Sequence, residues 1–190
     1  MKTSIKKLAA DVAALLGESL SLECCPDESP FPGIEDRVRI SAPGILASLL
    51  LESDISFPVE SKSFAKDITV DAGGVAIIPL PDDFLRLLDV KMSDWKRSVT
   101  KVTDAGHFQA ELQQSIHDGI RGNPDRPVVL LATDGEGRRC LKLFSSSRGA
   151  RLEAGTYIPY PVIGTDDTLL VPLPLYHSLV KALSSLIMHS

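Results

Sequence analysis

The segment from Val75 to Val90 constrains the fold more than any other part of the chain, because its pattern changes twice within a short distance. An apolar run ends at Pro81, and two acidic residues follow it. Phe84, Leu87 and Leu88 then recur at helical spacing. Proline in a first turn and acids near the positive end of the helix dipole both favour a helix start. The segment therefore predicts a strand, a short helix from Pro81, and then a return to strand.

Amphipathic helices are predicted near both ends of the chain. At the N-terminus, apolar residues recur every three or four positions up to a natural stop at Gly17. These residues are Ile5, Leu8, Ala9, Val12, Leu15 and Leu16. At the C-terminus, Pro172-Leu173-Pro174 opens a helix with the same kind of stripe. Its members are Leu175, Leu179, Leu183, Leu186 and Ile187.

A further helical stretch lies between Ile34 and Glu52, after a linker over residues 18–33 that is rich in Ser, Glu and Pro. Its apolar face consists of Val38, Ala42, Ile45, Leu46, Leu49 and Leu50. Proline in a helix interior removes a hydrogen bond and clashes with the preceding turn. We therefore expect a break at Pro43-Gly44, with a fresh helix from Ser41; a kinked continuous helix is the alternative.

The middle of the chain predicts strands joined by turns. Two hairpins are expected, with strands over 64–70 and 75–80 and over 127–132 and 138–144. Their turns are Asp71-Ala72-Gly73-Gly74 and Asp134-Gly135-Glu136-Gly137. A further strand over 90–102 holds the single tryptophan, Trp95.

Two other segments complete the middle region. Residues 107–121 predict either a helix or an ordered loop. The candidates for a helical face there are Phe108, Leu112 and Ile116. Residues 153–163 alternate as a strand, but Pro159 and Pro161 cannot donate to a ladder, so an edge strand is expected.

These elements predict an α+β fold in which the N-terminal and C-terminal helices pack together around the ends of an inserted antiparallel β-meander. A chain of 190 residues favours a single domain. Its parts would be a helical N-terminal part over 1–56, a β-rich part over 57–172 and the C-terminal helix over 173–190.

Composition limits the partners. The net charge of −5 and the scattered basic residues disfavour phosphate binding. The nearest approach to a basic patch is Arg138, Arg139, Lys142, Arg148 and Arg151, which a solvated hairpin surface explains. Three cysteines, Cys24, Cys25 and Cys140, favour a reducing compartment over a disulfide framework. No apolar run predicts a signal peptide or a membrane span, and we expect no membrane partner.

Residues that carry chemistry in enzymes do not converge in the sequence. The four histidines lack a second ligand at metal-binding spacing; they are His107, His117, His177 and His189. The pairs Asp82-Asp83 and Asp166-Asp167 suit helix starts and turns better than acid–base catalysis, because adjacent side chains point to different sides. We therefore expect no catalytic, cofactor-binding or metal-binding residues and no enzyme activity.

The organisation resembles the head–tail connector (adaptor) proteins of tailed bacteriophages and prophages. In that family a helix that is usually continuous precedes a β-rich middle, and a Leu-Pro-x-Asp-Phe turn leads into a short helix. Here that turn is Leu80-Pro81-Asp82-Asp83-Phe84, and Asp36-Arg37-Val38-Arg39 with the apolar run 45–51 looks like the family's second helix. The late strand Tyr157-Ile158-Pro159-Tyr160-Pro161 and the closing helix from Pro174 to Ile187 complete the likeness.

The resemblance implies a structural role in the neck of a virion assembled in the bacterial cytoplasm. Copies that are monomeric alone would form a ring between the portal protein and a downstream neck or tail protein, with DNA only passing through the channel. The strand over 153–163 and the terminal helices are the expected contacts. The candidate interface residues are Tyr157, Tyr160, Tyr176, Val180 and Leu183.

Packing inside the subunit is the other reading of the closing helix. A different class of function, a bacterial protein that binds a small molecule or peptide between sheet and helices, is the alternative to the connector. Neighbouring portal, capsid and tail genes would favour the connector.

Overall fold

The chain forms two compact units in a computed structural model. The helical unit comprises residues 1–60 and 160–190, and the β-rich unit comprises residues 61–159. The structure describes residues 1–16, 33–65, 68, 70–71, 73–104, 106–113, 115, 117, 120–144 and 146–189. Most of the predicted linker, Cys24, Cys25 and Ile116 lie outside these residues. The α+β class with terminal helices packed together and an antiparallel-rich insert is confirmed.

Four helices and nine strands are described. The helices are α1 (Ile5–Leu15), α2 (Ile34–Glu52), α3 (Phe108–Leu112) and α4 (Leu173–Met188). The first five strands are β1 (Lys2–Ser4), β2 (Lys62–Ser63), β3 (Val75–Pro79), β4 (Phe84–Met92) and β5 (Thr103–Asp104). The others are β6 (Val128–Thr133), β7 (Arg139–Phe144), β8 (Leu152–Pro159) and β9 (Thr168–Leu170).

The helical unit is built from α1, α2 and α4, which pack against one another. The Ser4 hydroxyl caps α1 by accepting a hydrogen bond from the Lys7 N–H at 3.2 Å. Most members of the predicted stripes of α1 and α4 are buried, and the fully buried ones include Ile5, Leu8, Val12, Leu179 and Leu183. Leu15 and Leu186, near the ends of the two helices, are exposed. Strand β1, which the sequence did not predict, pairs with β9 and brings the two ends of the chain together.

The predicted break in α2 is wrong, because the helix runs without interruption through Pro43. Its buried residues Val38, Ala42, Leu46 and Leu50 fall four positions apart on one side. Pro43 lies outside this stripe, so the helix keeps its packing against α1 and α4 although one backbone donor is missing. Tertiary burial therefore outweighs the local penalty of the proline.

The β-rich unit contains a three-stranded sheet in the order β2-β8-β4 and a four-stranded sheet in the order β3-β7-β6-β5. All described pairs are antiparallel except β5 with β6. One cluster of buried residues fills the unit, and its members include Trp95 and Phe64, whose ring stacks on those of Phe84 and Tyr157. The unit thus has its own hydrophobic core.

The short helix predicted after Pro81 is wrong, and so is the continuous strand over 90–102. The turn leads directly into strand β4, which ends at Met92, and Val99 returns only as a single bridge to Val90. Pairing of β4 with β8 shifts register three times. Because each bulge adds a residue, buried side chains recur about every third position rather than every second, which imitates a helical period.

The predicted edge strand over 153–163 is also wrong in its placement. Strand β8 is the central strand of its sheet, between β2 and β4. Pro159 is the last residue of β8 and Pro161 lies beyond it, so neither removes a donor from the middle of the ladder. Thr156 and Tyr157 of this segment are therefore paired within their own chain on both sides.

The two predicted hairpin turns are present. Strands β6 and β7 pair in the expected register, and the Asp134 carboxylate closes their turn by accepting from the Glu136 and Arg138 N–H groups, each at 2.9 Å. At the other turn the Asp71 carboxylate accepts from the Val75 N–H at 2.9 Å. Of the first strand expected there, over 64–70, the described residues include a single antiparallel bridge from Val70 to Ala76, and residues 66, 67 and 69 lie outside the described residues. The ambiguous segment 107–121 contains the short helix α3.

Candidate interaction surface

Three of the five predicted interface residues lie in the interior of their own units. Tyr157 is buried in the β-rich core, where its hydroxyl donates to the Asp83 carboxylate at 3.0 Å. Val180 and Leu183 are buried in the helical unit, on the side of α4 that packs against α1 and α2. For these residues packing inside the subunit is what the structure shows.

The other two predicted residues reach the surface of the helical unit. Tyr160 is 43% exposed. Tyr176 is half-buried, and its hydroxyl donates to the Asp11 carboxylate of α1 at 2.5 Å. Burial, with the neighbouring carboxylate, raises the pKa of Tyr176 to about 12, so its hydroxyl remains a donor. This hydrogen bond ties α4 to α1 and leaves the outer side of α4 open.

Exposed apolar side chains are concentrated on the helical unit. Of the fourteen large apolar side chains that are most exposed among the described residues, four belong to the β-rich unit. They are Ile77, Phe108, Leu112 and Ile120. The other ten lie on the helical unit, namely Met1, Leu15, Ile40, Leu51, Tyr160, Val162, Leu170, Leu173, Leu186 and Met188. Exposed apolar surface of this kind is typical of interaction sites when it is contiguous.

A shallow groove lies between α2 and α4, with a volume of about 290 Å³. This α2–α4 groove is lined by Arg37, Ile40, Ser41, Leu186 and Ile187. Ile40 is 75% exposed and Leu186 is 46% exposed, so the apolar part of the groove faces solvent. Arg37, Ile40 and Ser41 share one side of α2 because they are three and four residues apart.

A second groove lies between α1 and α4, with a volume of about 380 Å³. This α1–α4 groove is lined by Asp11, Ala14, Leu15, Tyr176, His177 and Val180. Tyr176 and Asp11, which are hydrogen-bonded to each other, both line this groove, and so does Leu15, which is 49% exposed. Both grooves are open clefts along helices, a shape that suits a protein surface better than a small enclosed ligand.

Sequence reasoning named Tyr176 and Val180 of the α1–α4 groove as interface residues, but it did not name Leu15, Ile40, Leu186 or Ile187. Ile40 lies outside the stripe formed by Val38, Ala42 and Leu46. An apolar residue at such a position could have indicated from the sequence that α2 has apolar surface on a second side. Leu186 belongs by spacing to the same stripe of the closing helix as Leu179 and Leu183, but it is 46% exposed near the end of α4. Periodicity marks the apolar side of a helix without telling how far along the helix that side is covered.

The β-rich unit has a more polar depression of about 320 Å³, which includes part of the predicted basic patch. Its residues are Pro79, Leu80, Pro81, Asp82, Arg138 and Arg139. Arg138 forms ion pairs with Asp134 and Glu136 at 2.9 and 3.0 Å. The guanidinium of Arg139 lies over the Phe84 ring at 6.0 Å. Both cations are thus engaged by their own hairpin and its neighbour.

The acidic pairs take turn and ion-pair roles. The pKa of Asp83 is lowered first by the hydrogen bond from Lys62 at 2.6 Å and then by that from Tyr157, against the effect of burial. Asp166 accepts from the Thr168 hydroxyl at 2.7 Å and pairs with Lys2. Its neighbour Asp167 pairs with Arg39 of α2 instead.

Two of the four histidines have contacts that the structure describes. His107 caps α3, where its Nδ1 accepts from the Gln109 N–H at 3.3 Å, and His177 lies in the α1–α4 groove. Among the described residues no three His, Cys, Asp or Glu side chains are close enough to hold a metal ion. In that same part of the chain, no helix has the length and apolar character that crossing a membrane requires.

Neither a model of a known protein family nor a curated protein matches this chain.

Proposed function

We propose that this protein is a structural connector of a tailed phage or prophage, whose copies form a ring between the portal and the next neck or tail protein. The observation that carries the proposal is the concentration of exposed apolar side chains on the helical unit, where α4 is bordered by two open apolar grooves. Surfaces of this kind fit protein partners, and a ring needs two different contact surfaces on each copy.

Two features of the fold support the resemblance on which the proposal also draws. The terminal helices pack together and carry the β-rich unit as an insertion, as the resemblance implies. Helix α2 is continuous, which is the usual state of this helix in the connector family. The Leu80–Phe84 turn is not among the supports, because it leads into a strand rather than a short helix.

Charge supports a channel that DNA passes without being held. Each copy carries a net charge of −5, so a ring multiplies a negative potential around the duplex. Each phosphate neutralised by a cation releases counterions and favours binding, which would retard moving DNA. In the most basic patch of the sequence, Arg138 pairs with Asp134 and Glu136, and Arg139 lies over the Phe84 ring. Both arginines are therefore engaged by other groups of the β-rich unit.

Reconstitution with a portal tests the proposal. The protein is mixed with the portal protein encoded beside it and viewed by negative-stain electron microscopy. A ring of added density on one face of the portal is expected. Failure to bind any portal from its own genome, or the absence of portal and tail genes around it, would contradict the function.

DNA binding gives an independent measurement. Fluorescence anisotropy with a labelled duplex should show no binding at physiological salt up to about 100 μM protein, weaker than ordinary non-specific DNA binding. Tight, salt-sensitive binding would reject the passive channel and leave a nucleic-acid-binding role in its place.

A further inference from the structure

Strand β1 is a small element of the helical unit that has β9 as its single strand partner among the described residues. It consists of Lys2–Ser4, and the two strands form a sheet of their own. Lys2 forms an ion pair with Asp166, but both side chains are largely exposed to solvent, so the pair contributes little to stability. A two-stranded ribbon is marginally stable by itself. The attachment of β1 therefore depends on how well its inward side chain packs.

The inward side chain of β1 is Thr3, and its hydroxyl is buried without a hydrogen bond. Thr3 is 2% exposed and lies directly opposite Leu169 of β9, which is 1% exposed. In the described part of the chain, the Thr3 Oγ1 has neither a donor nor an acceptor as a partner. A hydroxyl that leaves water and gains no hydrogen bond opposes the burial of its residue. The middle residue of β1 thus weakens the attachment of the strand.

Helix α1 is held more firmly than the strand that precedes it. The Ser4 hydroxyl caps the helix by accepting from the Lys7 N–H at 3.2 Å, and Ile5, Leu8 and Val12 are fully buried in the helical unit. Neither the cap nor this burial requires β1 to be paired with β9. Ser4 is therefore the boundary between a firmly packed helix and a weakly attached strand.

We propose that β1 is a releasable strap, which opens from β9 at a lower free energy than unfolding of the helical unit requires. The unpaired hydroxyl of Thr3 favours the open form, because opening returns it to water. Opening uncovers the Leu169 side chain and leaves Thr168–Leu170 as an unpaired strand edge, the kind of surface to which an extended segment of another chain adds. The inference goes beyond the connector function and does not depend on it.

Amide hydrogen exchange measures the opening residue by residue. The Val171 N–H donates to the Met1 carbonyl oxygen at 2.9 Å, so it reports the attachment of the segment that contains β1. The Leu183 amide, in the buried middle of α4, reports opening of the helical unit. After correction for intrinsic rates, Val171 should exchange at least about a hundredfold faster than Leu183. Low concentrations of urea should accelerate Leu183 but not Val171, since release of β1 exposes little surface.

A pair of Thr→Val substitutions tests the role of the hydroxyl. Thr3→Val should slow the exchange of Val171 about tenfold, because the closed form then no longer buries an unpaired hydroxyl. Thr168→Val is the matched control, since it makes the same change on the partner strand. The Thr168 hydroxyl donates to the Asp166 carboxylate at 2.7 Å, so its removal relieves nothing. In this control Val171 should exchange at the wild-type rate or up to about threefold faster.

Three outcomes would overturn the strap. If Val171 exchanges at the rate of Leu183, β1 does not open independently of the helical unit. If Thr3→Val changes the exchange of Val171 by less than about twofold, the buried hydroxyl does not weaken the attachment. If Thr168→Val slows exchange as much as Thr3→Val does, the effect comes from valine in a strand and not from the hydroxyl. The connector function is tested separately by reconstitution with the portal and is not affected by these results.

Discussion

The helical unit and the β-rich unit differ in how completely each covers its own apolar residues. The β-rich unit is the longer of the two, yet it contributes four of the fourteen most exposed large apolar side chains among the described residues, against ten from the helical unit. Its aromatic rings stack inside one cluster, and its turns are closed by Asp71 and Asp134. Three packed helices bury one side of each helix and leave other sides open. This difference is the reason why we propose the helical unit as the part that contacts a partner.

The largest expected effect separates the buried middle of α4 from its exposed end. Leu183 is fully buried, so Leu183→Ala should lower the free energy of unfolding by about 2–5 kcal/mol through lost burial and a cavity. Leu186 lies on the same side of the helix but is 46% exposed, so Leu186→Ala is the matched control and should change the free energy of unfolding by less than about 1 kcal/mol. Urea unfolding followed by circular dichroism at the helical band gives both values. Equal losses would mean that the end of α4 contributes as much to the core as its middle does.

The next largest effect on stability is expected at Gly74, where the backbone of the β-rich unit passes close to that of Ser146. Its φ is +77°, and a Cβ there would lie 2.9 Å from the Ser146 carbonyl oxygen. Gly74→Ala should destabilise the unit by about 2–3 kcal/mol. Gly137 has a similar φ of +81° with nothing near its Cβ position, so Gly137→Ala should lose only about 1 kcal/mol. Trp95 fluorescence reports unfolding of this unit, and identical losses would exclude a role for the close approach.

A smaller effect is expected from the buried hydroxyl of Tyr157. Tyr157→Phe keeps the stacked rings but removes the hydrogen bond to Asp83. Lys62 still pairs with that carboxylate, so a loss of about 1 kcal/mol is expected. The same fluorescence measurement applies. A loss above about 3 kcal/mol would show that the ring packing had changed as well.

The pH dependence of the stability of the β-rich unit should report the ion pair between Asp83 and Lys62. Because the folded-state pKa of Asp83 is lowered from 3.8, its stabilising contribution is present above that pH and is lost as the pH falls through the lowered value. The difference in stability between pH 5 and pH 3 should shrink in Lys62→Met, by less than about 1 kcal/mol because Lys62 is exposed. If the difference in stability between pH 5 and pH 3 is the same in Lys62→Met as in wild type, Lys62 is not what lowers the pKa of Asp83.

The smallest effect is expected at the exposed start of α4. Leu173→Ser should alter the free energy of unfolding by less than about 0.5 kcal/mol, because Leu173 is exposed at the first residue of the helix. Helical circular dichroism in urea measures it. A loss comparable to that of Leu183→Ala would show that the outer surface of the helical unit also supports the fold.

Local patterns predicted the elements whose signals depend on neighbours in the chain. Helices α1 and α4 follow from their stripes and from the prolines at the start of α4, and the β6–β7 hairpin follows from its Asp-Gly turn. In each case the period of the pattern and the end signals agree. The grooves were not predicted, because a sequence does not show which apolar side of a helix another helix will cover.

The errors share a physical cause, which is pairing with a distant segment. The bulges that give β4 its period of about three arise only from its register with β8. The central position of β8 depends on β2, which lies far earlier in the chain and pairs with Tyr157 and Thr156. Pro43 is accepted in α2 because the stripe of that helix is held by α1 and α4.

The amino-acid sequence by itself determined the α+β class, the terminal helices and the turns, since periodicity, capping and turn chemistry act within a few residues. Tertiary structure alone decided the continuity of α2, the strand at Phe84–Met92 and the central place of β8. It also decided which apolar residues remain uncovered. Burial depends on segments far apart in the chain, and its free energy exceeds the local preferences that it overrides.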